Sequence, residues 1–257
     1  MQAFPKPERR QYAIDGGTLS GVHFGRTENP VKLVFLHANG FNAYAYKELL
    51  EPLGIHAVSL DLPGHGFTDM PTDPAGLRNF KGFARNVADY IAAYLDGPVC
   101  VAGHSLGAAT AIILAAQSPH LVKAVTAFDP PVLSSSLRAF LYLPGGTAFI
   151  KQRVPIIRNA GRRRAEFDSL EAAFTRYKGR GTFRGFSEQA LRDYLTGGLV
   201  ETDTGVRLAC DPIWEQAIFA AHRQNLFHMA KALPENSRIV FAGKDSPATA
   251  SVRAKMA

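Results

Sequence analysis

The stretch that decides the fold runs from Pro98 to Gln117 and reads PVCVAGHSLGAATAIILAAQ. Its first part, Val99 to Ala102, is too uniformly apolar for a strand with one face in water and therefore predicts a buried strand. Its last part, Ala108 to Ala116, is small and apolar, which predicts a helix that the following Ser118-Pro119 ends. Ser105 is thus placed between a buried strand and a helix.

The turn itself is the pentapeptide Gly103-His104-Ser105-Leu106-Gly107. A sharp strand-to-helix turn lifts the Ser105 hydroxyl out of the backbone, and glycine two places before and after it leaves room for the resulting crowding. The amide of Leu106, at the start of the helix, points to where an oxyanion would form. A Gly-x-Ser-x-Gly pentapeptide alone is a weak signal, but the strand before it and the helix after it make it specific. Ser105 is therefore the candidate nucleophile.

Length and composition favour one large domain. The 257 residues, 46% of them hydrophobic, suit a single α/β domain or one domain with an insertion. The longest apolar stretch is the helix after Ser105, which is too short to span a bilayer, and the N-terminus has no apolar run. Cys100 and Cys210 match no metal or redox spacing and are expected to be free thiols. We expect a soluble, cytoplasmic protein without a signal peptide or membrane span.

The positive charge is concentrated in one segment. The chain has a net charge of +7, and between Pro131 and Val200 there are 12 Lys or Arg against 5 Asp or Glu. The densest part is Arg162-Arg163-Arg164. A solvated basic surface is the simpler interpretation, and attraction of acidic substrates is the alternative. Nothing in the chain matches a nucleic-acid-binding module.

The first third of the chain alternates strands with turns and helices. Gln11 to Ile14 and Thr18 to Phe24 predict an opening hairpin, and Val31 to Leu36 predicts a buried strand. The loop after that strand contains His37 and Asn39. Loops at the carboxyl ends of parallel strands are where open α/β sheets build their sites, so Asn39 or a neighbour can offer a backbone N–H there. His37 is expected to be a hydrogen-bonded scaffold residue rather than a catalytic base.

The alternation continues to Phe128. Strands are predicted over Ile55 to Leu60 and Leu121 to Phe128, and an apolar stripe between Phe80 and Leu95 predicts a helix of about five turns. This rhythm indicates an α/β fold with a mostly parallel, doubly wound sheet and helices on both faces.

After Pro131 the rhythm breaks for some 80 residues in which helix starts occur but no clear strand is predicted. We interpret residues 132–210 as an inserted helical cap, with the core formed by residues 1–131 and 211–257. In the second core part, Arg238 to Ala242 predicts a strand. Asp245 follows it, in Gly243-Lys244-Asp245, and places a carboxylate at its carboxyl end.

These residues together resemble the α/β-hydrolase superfamily, in its capped esterase-like branch. The resemblance implies that Ser105 is the nucleophile, that the backbone amides of Asn39 and Leu106 form the oxyanion hole, and that Asp245 is the acid after the seventh strand. It further implies that Asp61 to Gly66 is a structural turn. The expected reaction is cleavage of a carboxylic ester or related acyl bond of a small molecule through an acyl-serine intermediate. No metal or other cofactor is implied.

The chain departs from the family pattern in its histidines. The family order is Ser, Asp, His, with the histidine after an eighth strand, but no histidine follows Asp245. We expect a chain that lacks the eighth strand and the catalytic histidine. The alternative is a non-catalytic hydrolase-fold protein that binds a ligand. Asp129, at the end of the sixth strand, is a second candidate acid, although Pro130-Pro131 favours a structural turn there.

Overall fold

The computed structural model of the protein describes residues 9–243, 246 and 248–256. The strands in these ranges are β1 (Arg9–Ile14), β2 (Gly17–Phe24), β3 (Leu33–Leu36), β4 (Ala57–Asp61), β5 (Val99–His104), β6 (Val122–Phe128), β7 (Glu166–Phe167), β8 (Leu199–Thr202), β9 (Gly205–Leu208) and β10 (Arg238–Val240). The α-helices are α1 (Lys47–Leu50), α2 (Lys81–Tyr94), α3 (Leu106–Gln117), α4 (Ser135–Phe140), α5 (Gly146–Arg153), α6 (Pro155–Ala160), α7 (Leu170–Tyr177), α8 (Glu188–Gly198), α9 (Pro212–Ala220), α10 (Leu226–Ala230) and α11 (Ala250–Met256). Short 3₁₀ turns occur at Ala43–Tyr46, Glu51–Leu53, Pro119–Leu121 and Gly181–Gly185.

The main sheet has seven strands in the order β1-β2-β4-β3-β5-β6-β10. The opening hairpin β1-β2 is antiparallel and joins the sheet through an antiparallel pairing of β2 with β4. The remaining pairs, from β4 through β10, are parallel. The predicted mostly parallel sheet is therefore confirmed, and β5 lies inside its parallel part, between β3 and β6. Within the described ranges β10 forms the edge of the sheet.

Helix α3 is buried along most of its length because the sequence after Ser105 is apolar all round. Every residue from Leu106 to Ala115 is buried, whereas α2 buries only one face, through Phe83, Ala84, Val87, Tyr90 and Ile91. Both helices belong to the main hydrophobic core with the sheet residues of β3 to β6. The start of α3 is therefore held firmly against the sheet.

Residues 132–210, for which helices were predicted, contain helices α4 to α8 and also strands that were not predicted. Strands β7, β9 and β8 form a small antiparallel sheet, with β8 and β9 joined by a hairpin turn at Asp203-Thr204. The expectation of no strand was wrong because these strands have two to four residues, too few for an alternating pattern to be visible. Residues of this segment, including Phe174, Phe183 and Leu195, form a separate apolar cluster.

Both cysteines are free, as predicted, Cys210 being buried and Cys100 half-buried in β5. None of the helices in the described ranges has the length and apolar character that a bilayer-crossing segment needs.

Candidate active site

Ser105 has a backbone conformation that L-amino acids rarely adopt. Its φ is 51° and its ψ is −107°, and Asp129 is the other non-glycine residue with positive φ in the described ranges. Such a conformation costs on the order of 1–3 kcal/mol and persists only where the surroundings impose it. The strain lies at the residue that the sequence singled out as the candidate nucleophile.

The two glycines of the pentapeptide are required by close backbone approaches. A Cβ on Gly107 would lie 2.0 Å from the carbonyl oxygen of Leu36, and a Cβ on Gly103 would lie 2.4 Å from the carbonyl carbon of Gly107. Both distances are far below van der Waals contact. The glycines therefore allow β5, α3 and the end of β3 to meet at one point.

Hydrogen bonds on either side of Leu106 fix the turn. The N–H of Ser105 donates to Phe128 O at 2.9 Å, and the N–H of Gly107 donates to His37 O at 3.1 Å. The N–H of Leu106 lies between them and donates to no described residue. The first amides of a helix have no partner within the helix, so that of Leu106 is available to an acceptor.

The loop after β3 has the same pattern. The N–H of Ala38 donates to the Tyr46 hydroxyl at 3.1 Å, and the N–H of Gly40 donates to His65 Nε2 at 3.1 Å. The N–H of Asn39, between them, makes no hydrogen bond to a described residue. Because Gly107 bonds to the residue that begins this loop, the free amides of Asn39 and Leu106 belong to neighbouring segments.

The histidines of this region hold the backbone in place. His37 donates from Nδ1 to Ala38 O at 2.8 Å and accepts at Nε2 from the N–H of Leu62 at 2.9 Å. His65 donates from Nδ1 to Pro63 O at 3.2 Å, and its Nε2 accepts from the loop after β3. Burial lowers the pKa of His37 to about 4, and burial together with the neighbouring His37 lowers the pKa of His65 to about 3. Both rings are neutral scaffold groups near neutral pH.

The side chain of Asn39 attaches the same loop to α9. Its Nδ2 donates to Glu215 O at 2.9 Å, while its Oδ1 is buried without a hydrogen-bond partner among the described residues. The amide side chain thus fixes the orientation of the Asn39 backbone.

Asp61 is fully buried at the end of β4. It organises the turn from Asp61 to Gly66, which the family resemblance predicted to have a structural role. Its Oδ1 accepts from the N–H of Ala43 at 2.7 Å, and its Oδ2 accepts from the N–H of Phe67 at 3.1 Å and from the Arg9 guanidinium. A side chain on Gly66 would overlap the Asp61 carboxylate, at 2.1 Å. The carboxylate is saturated by these structural bonds.

Asp129 has a similar role at the end of β6. Its N–H donates to Val240 O at 2.7 Å, and its Oδ1 accepts from the Ala242 N–H at 3.3 Å and the Ser246 hydroxyl at 2.5 Å. This side chain holds the chain that leaves β10, which agrees with the structural turn favoured from the sequence. Asp245, the predicted catalytic acid, lies outside the described residues.

None of the histidines forms a hydrogen bond with Ser105 among the described residues. His104, its immediate neighbour, is bonded through Nδ1 to the Tyr46 hydroxyl at 2.9 Å. The eight histidines are His23, His37, His56, His65, His104, His120, His222 and His228. No described set of three or more His, Cys, Asp or Glu residues is placed to hold a metal ion.

A largely buried cation, Arg163 in the segment 132–210, supports the loop after β3 and was not predicted from the sequence. The Arg163 guanidinium donates to Glu215 Oε2 at 3.0 Å, to the Tyr177 hydroxyl at 3.1 Å and to the Tyr194 hydroxyl. Tyr194 in turn donates to Gly40 O at 3.1 Å. The side chains of Arg163 and Glu215 are 17% and 9% exposed. Arg163 is therefore one of the groups that join residues 132–210 to α9 and, through Tyr194, to the loop after β3.

The interpretation of the basic segment as a solvated surface was consequently wrong at Arg163. Arg162 and Arg164 are exposed, but Arg163 between them points into the protein. Adjacent residues can differ in this way because the chain leaves α6 in an irregular turn, where no helical or strand periodicity indicates the buried side. The partner that buries Arg163 is Glu215, which is 52 residues away, so no local pattern indicated the pair.

The sheet defines the class of protein, because a parallel sheet with a Gly-x-Ser-x-Gly turn after an inner strand is the architecture of an α/β-hydrolase. The sequence profile of the alpha/beta hydrolase family matches residues 33–254. The chain belongs to that family.

Curated relatives with sequence similarity include several named hydrolases. An esterase of Mycobacterium tuberculosis is 32% identical over 125 residues, covering 49% of this chain and 40% of the esterase. The (E)-2-((N-methylformamido)methylene)succinate hydrolase of Acinetobacter baylyi is 32% identical over 104 residues, covering 40% of this chain and 38% of that enzyme. The chain thus matches less than half the length of these relatives.

Among solved structures, an E-2-(acetamidomethylene)succinate hydrolase superimposes with a TM-score of 0.77 at 23% identity, covering 97% of this chain and 85% of that one. The thioesterase domain from the curacin biosynthetic pathway gives a TM-score of 0.76 at 18% identity, with 97% and 87% coverage. At these identities the likeness concerns the fold.

Proposed function

We propose that this protein is a serine hydrolase that cleaves a carboxylic ester, or a related acyl bond, of a small molecule. The observation that carries the proposal is the strained backbone of Ser105, at φ 51° and ψ −107°, next to an amide that donates to no described residue. Strain at this point does not stabilise the fold. It is expected, however, where a nucleophile must project from the end of the sheet. The named esterase and hydrolase relatives support the same class of reaction.

The proposed reaction passes through an acyl-serine. The Ser105 oxygen attacks the acyl carbon while a base takes its proton, and the resulting oxyanion accepts hydrogen bonds from the amides of Leu106 and Asn39. The alcohol then leaves with the proton from the base. Water hydrolyses the acyl-Ser105 by the same steps. Each oxyanion donor contributes roughly 3–4 kcal/mol to transition-state stabilisation.

The base is the part of this mechanism that the described residues do not supply. The nitrogens of His37 are both occupied by backbone groups, and that ring is buried. His104 is bonded to Tyr46. In our proposal Asp245 would orient a histidine base, which is neither His37 nor His104. Imidazole in solution can substitute for a missing histidine base, because it carries the same titrating ring.

The test compares hydrolysis of p-nitrophenyl acetate by the 257-residue protein with and without imidazole, corrected for the reaction of imidazole alone. We expect imidazole to raise the protein-dependent rate, and Ser105→Ala to abolish that increase. Ser118→Ala, at the other end of α3, is the matched control and should behave as the wild type. If Ser105→Ala retains the imidazole-dependent rate, Ser105 is not the nucleophile.

The second candidate is a hydrolase-fold protein that binds a ligand without turnover, and the absence of a histidine bonded to Ser105 among the described residues favours it. It predicts that imidazole has no effect on ester hydrolysis at any concentration. Detection of an acetylated Ser105 by mass spectrometry during turnover would contradict it.

We also propose a reducing compartment such as the cytoplasm, and the two free cysteines support this.

A further inference from the structure

A cavity of about 390 Å³ opens between the main body and the cap. One side is the loop from Pro74 to Arg78, which precedes α2, and the other is formed by residues between Tyr142 and Lys151 of the cap. Ala217 of α9 and Arg223 complete the lining. Ser105 does not line it, so this cavity is separate from the candidate active site. Its volume lies within the range of small-molecule sites, about 300–1,000 Å³.

Three cations from three separate segments line this cavity. Arg78 comes from the loop before α2, Lys151 from α5 in the cap, and Arg223 from the chain after α9. Among the residues that the structure describes, no Asp or Glu lines the cavity. Burial, and next the charge of Arg78, lower the pKa of Lys151, so the two cations oppose each other. Like charges that converge on a cavity destabilise it unless a counter-charge is bound there.

The described parts of the protein do not supply that counter-charge. The nearest acidic residue in sequence, Asp73, turns its Oδ1 to the backbone N–H groups of Ala75 and Gly76, at 3.0 and 2.9 Å. None of Arg78, Lys151 and Arg223 forms an ion pair with a described residue. The ammonium of Lys151 makes no hydrogen bond to a described residue.

Arg223 is held in place by its backbone, and one N–H group of its side chain is left without an acceptor among the described residues. Its N–H donates to Arg78 O at 3.1 Å, its carbonyl accepts from the Tyr142 hydroxyl at 3.1 Å, and its guanidinium lies 5.0 Å from the Tyr142 ring centre. Its Nε is buried and has no hydrogen-bond partner among the described residues. Buried polar groups are nearly always bonded, so this donor requires an acceptor.

Arg78 is likewise fixed before any ligand arrives. Its Nη1 donates to Ala75 O at 2.6 Å and Leu77 O at 3.0 Å. A guanidinium oriented in this way retains further N–H groups in its plane, and phosphate and carboxylate oxygens match that geometry.

We propose that this cavity is a binding site for a small anion with at least two negative charges, of the phosphate or polycarboxylate class, held by Arg78, Lys151 and Arg223. Bound there, the anion neutralises three converging cations and satisfies the buried Arg223 Nε. It also bridges the cap to the loop before α2, so its binding stabilises the attachment of the cap. The proposal is independent of catalysis at Ser105, because binding is measured without turnover.

The test is isothermal titration calorimetry with inorganic pyrophosphate at low ionic strength, and with citrate in a parallel titration. We expect one site with a Kd of about 1 mM or tighter for at least one of the two anions. Their relative affinities distinguish a phosphate site from a polycarboxylate site. Binding should weaken by about tenfold or more in Lys151→Met and in Arg223→Gln, because each removes one of three charges.

The matched controls are Lys231→Met and Arg162→Gln, which remove exposed cations that do not line the cavity. They should bind as the wild type does. No binding of either anion would overturn the proposal. Equal weakening of binding by the control variants would overturn it as well, because it would indicate unspecific charge attraction. If Arg223→Gln fails to fold because Tyr142 loses its contact, Lys151→Met decides the outcome alone.

Discussion

The backbone at Ser105 stores strain that a glycine would not carry. Its φ of 51° is imposed by the bond from its own N–H to Phe128 O and by the bond from Gly107 N–H to His37 O. Both bonds are made by the backbone, so they persist whatever side chain stands at position 105. The stability of the protein and the chemistry of the hydroxyl are therefore separable at this residue.

We expect Ser105→Gly to be more stable than Ser105→Ala by about 1 kcal/mol. Glycine relieves a strain of roughly 1–3 kcal/mol but loses more chain entropy on folding, which offsets part of the gain. Urea denaturation of both variants measures the difference. A lower stability of the glycine variant would show that the turn is not strained in solution.

Gly107 tests how closely α3 approaches β3. We expect Gly107→Ala to destabilise the protein by about 3 kcal/mol or more, because its Cβ would lie 2.0 Å from Leu36 O and neither backbone can move freely. Gly82→Ala is the matched control, since its Cβ meets nothing within 4 Å on the exposed face of α2. That control should stabilise the protein by up to about 1 kcal/mol. Equal effects of the two changes would contradict the close approach.

At the scale of elements, the ion pair between Arg163 and Glu215 is one of the contacts that join residues 132–210 to α9. Arg163 also donates to the hydroxyl of Tyr194 in α8, and that hydroxyl donates to Gly40 O in the loop after β3. Removing one partner leaves the other charge buried without compensation, whereas removing both does not. The joint can therefore be examined with single and double substitutions.

We expect Arg163→Gln to lower the free energy of unfolding by about 3 kcal/mol, and Arg162→Gln, its exposed neighbour, to change it by less than about 0.5 kcal/mol. In the double variant Arg163→Met with Glu215→Met, most of the loss should be recovered because no buried charge remains. Chemical denaturation monitored by tryptophan fluorescence suits the measurement, since Trp214 precedes Glu215 in α9. A double variant as unstable as the single one would contradict this account.

Across the whole molecule, we expect stability to depend on pH through four histidines, of which His37, His65 and His222 are buried and His23 is half-buried. Burial is the main cause that lowers the pKa of His23, His37 and His222 to about 4 and of His65 to about 3. In the unfolded chain a histidine titrates near about 6.5. The unfolded state therefore binds more protons below that pH. The stabilisation from these neutral rings is present above about pH 6.5 and is lost as pH falls toward 4.

We expect the free energy of unfolding to fall steeply between about pH 6.5 and 5.5, while most carboxylates stay ionised. Its slope against pH should correspond to the uptake of more than one proton on unfolding. His37→Gln should show a shallower slope because it removes one titrating ring. The exposed His228→Gln is the control. Equilibrium denaturation at several pH values supplies the slopes, and a flat profile across this interval would show that the rings are not buried in neutral form.

The sequence by itself determined the parallel sheet, the buried helix α3 and the turn at Ser105. Those features depend on local periodicity and on the spacing of Gly103 and Gly107, which is typical of a sharp strand-to-helix turn. It also indicated the hairpin β1-β2, because turn chemistry at Asp15-Gly16 is local. The family follows from the same residues, whereas the catalytic roles of Ser105, Asn39, Leu106 and Asp245 stay predictions.

The tertiary structure alone decided which charges are buried and which polar groups meet. Arg163 and Glu215 are 52 residues apart in sequence, and Arg78, Lys151 and Arg223 come from three segments around one cavity. No local pattern marks such residues, because the sequence around an arginine that is paired inside the protein does not differ in kind from the sequence around an exposed one. The short strands β7, β8 and β9 escaped prediction for a related reason, because they are strands through pairing with one another rather than through their own sequence pattern.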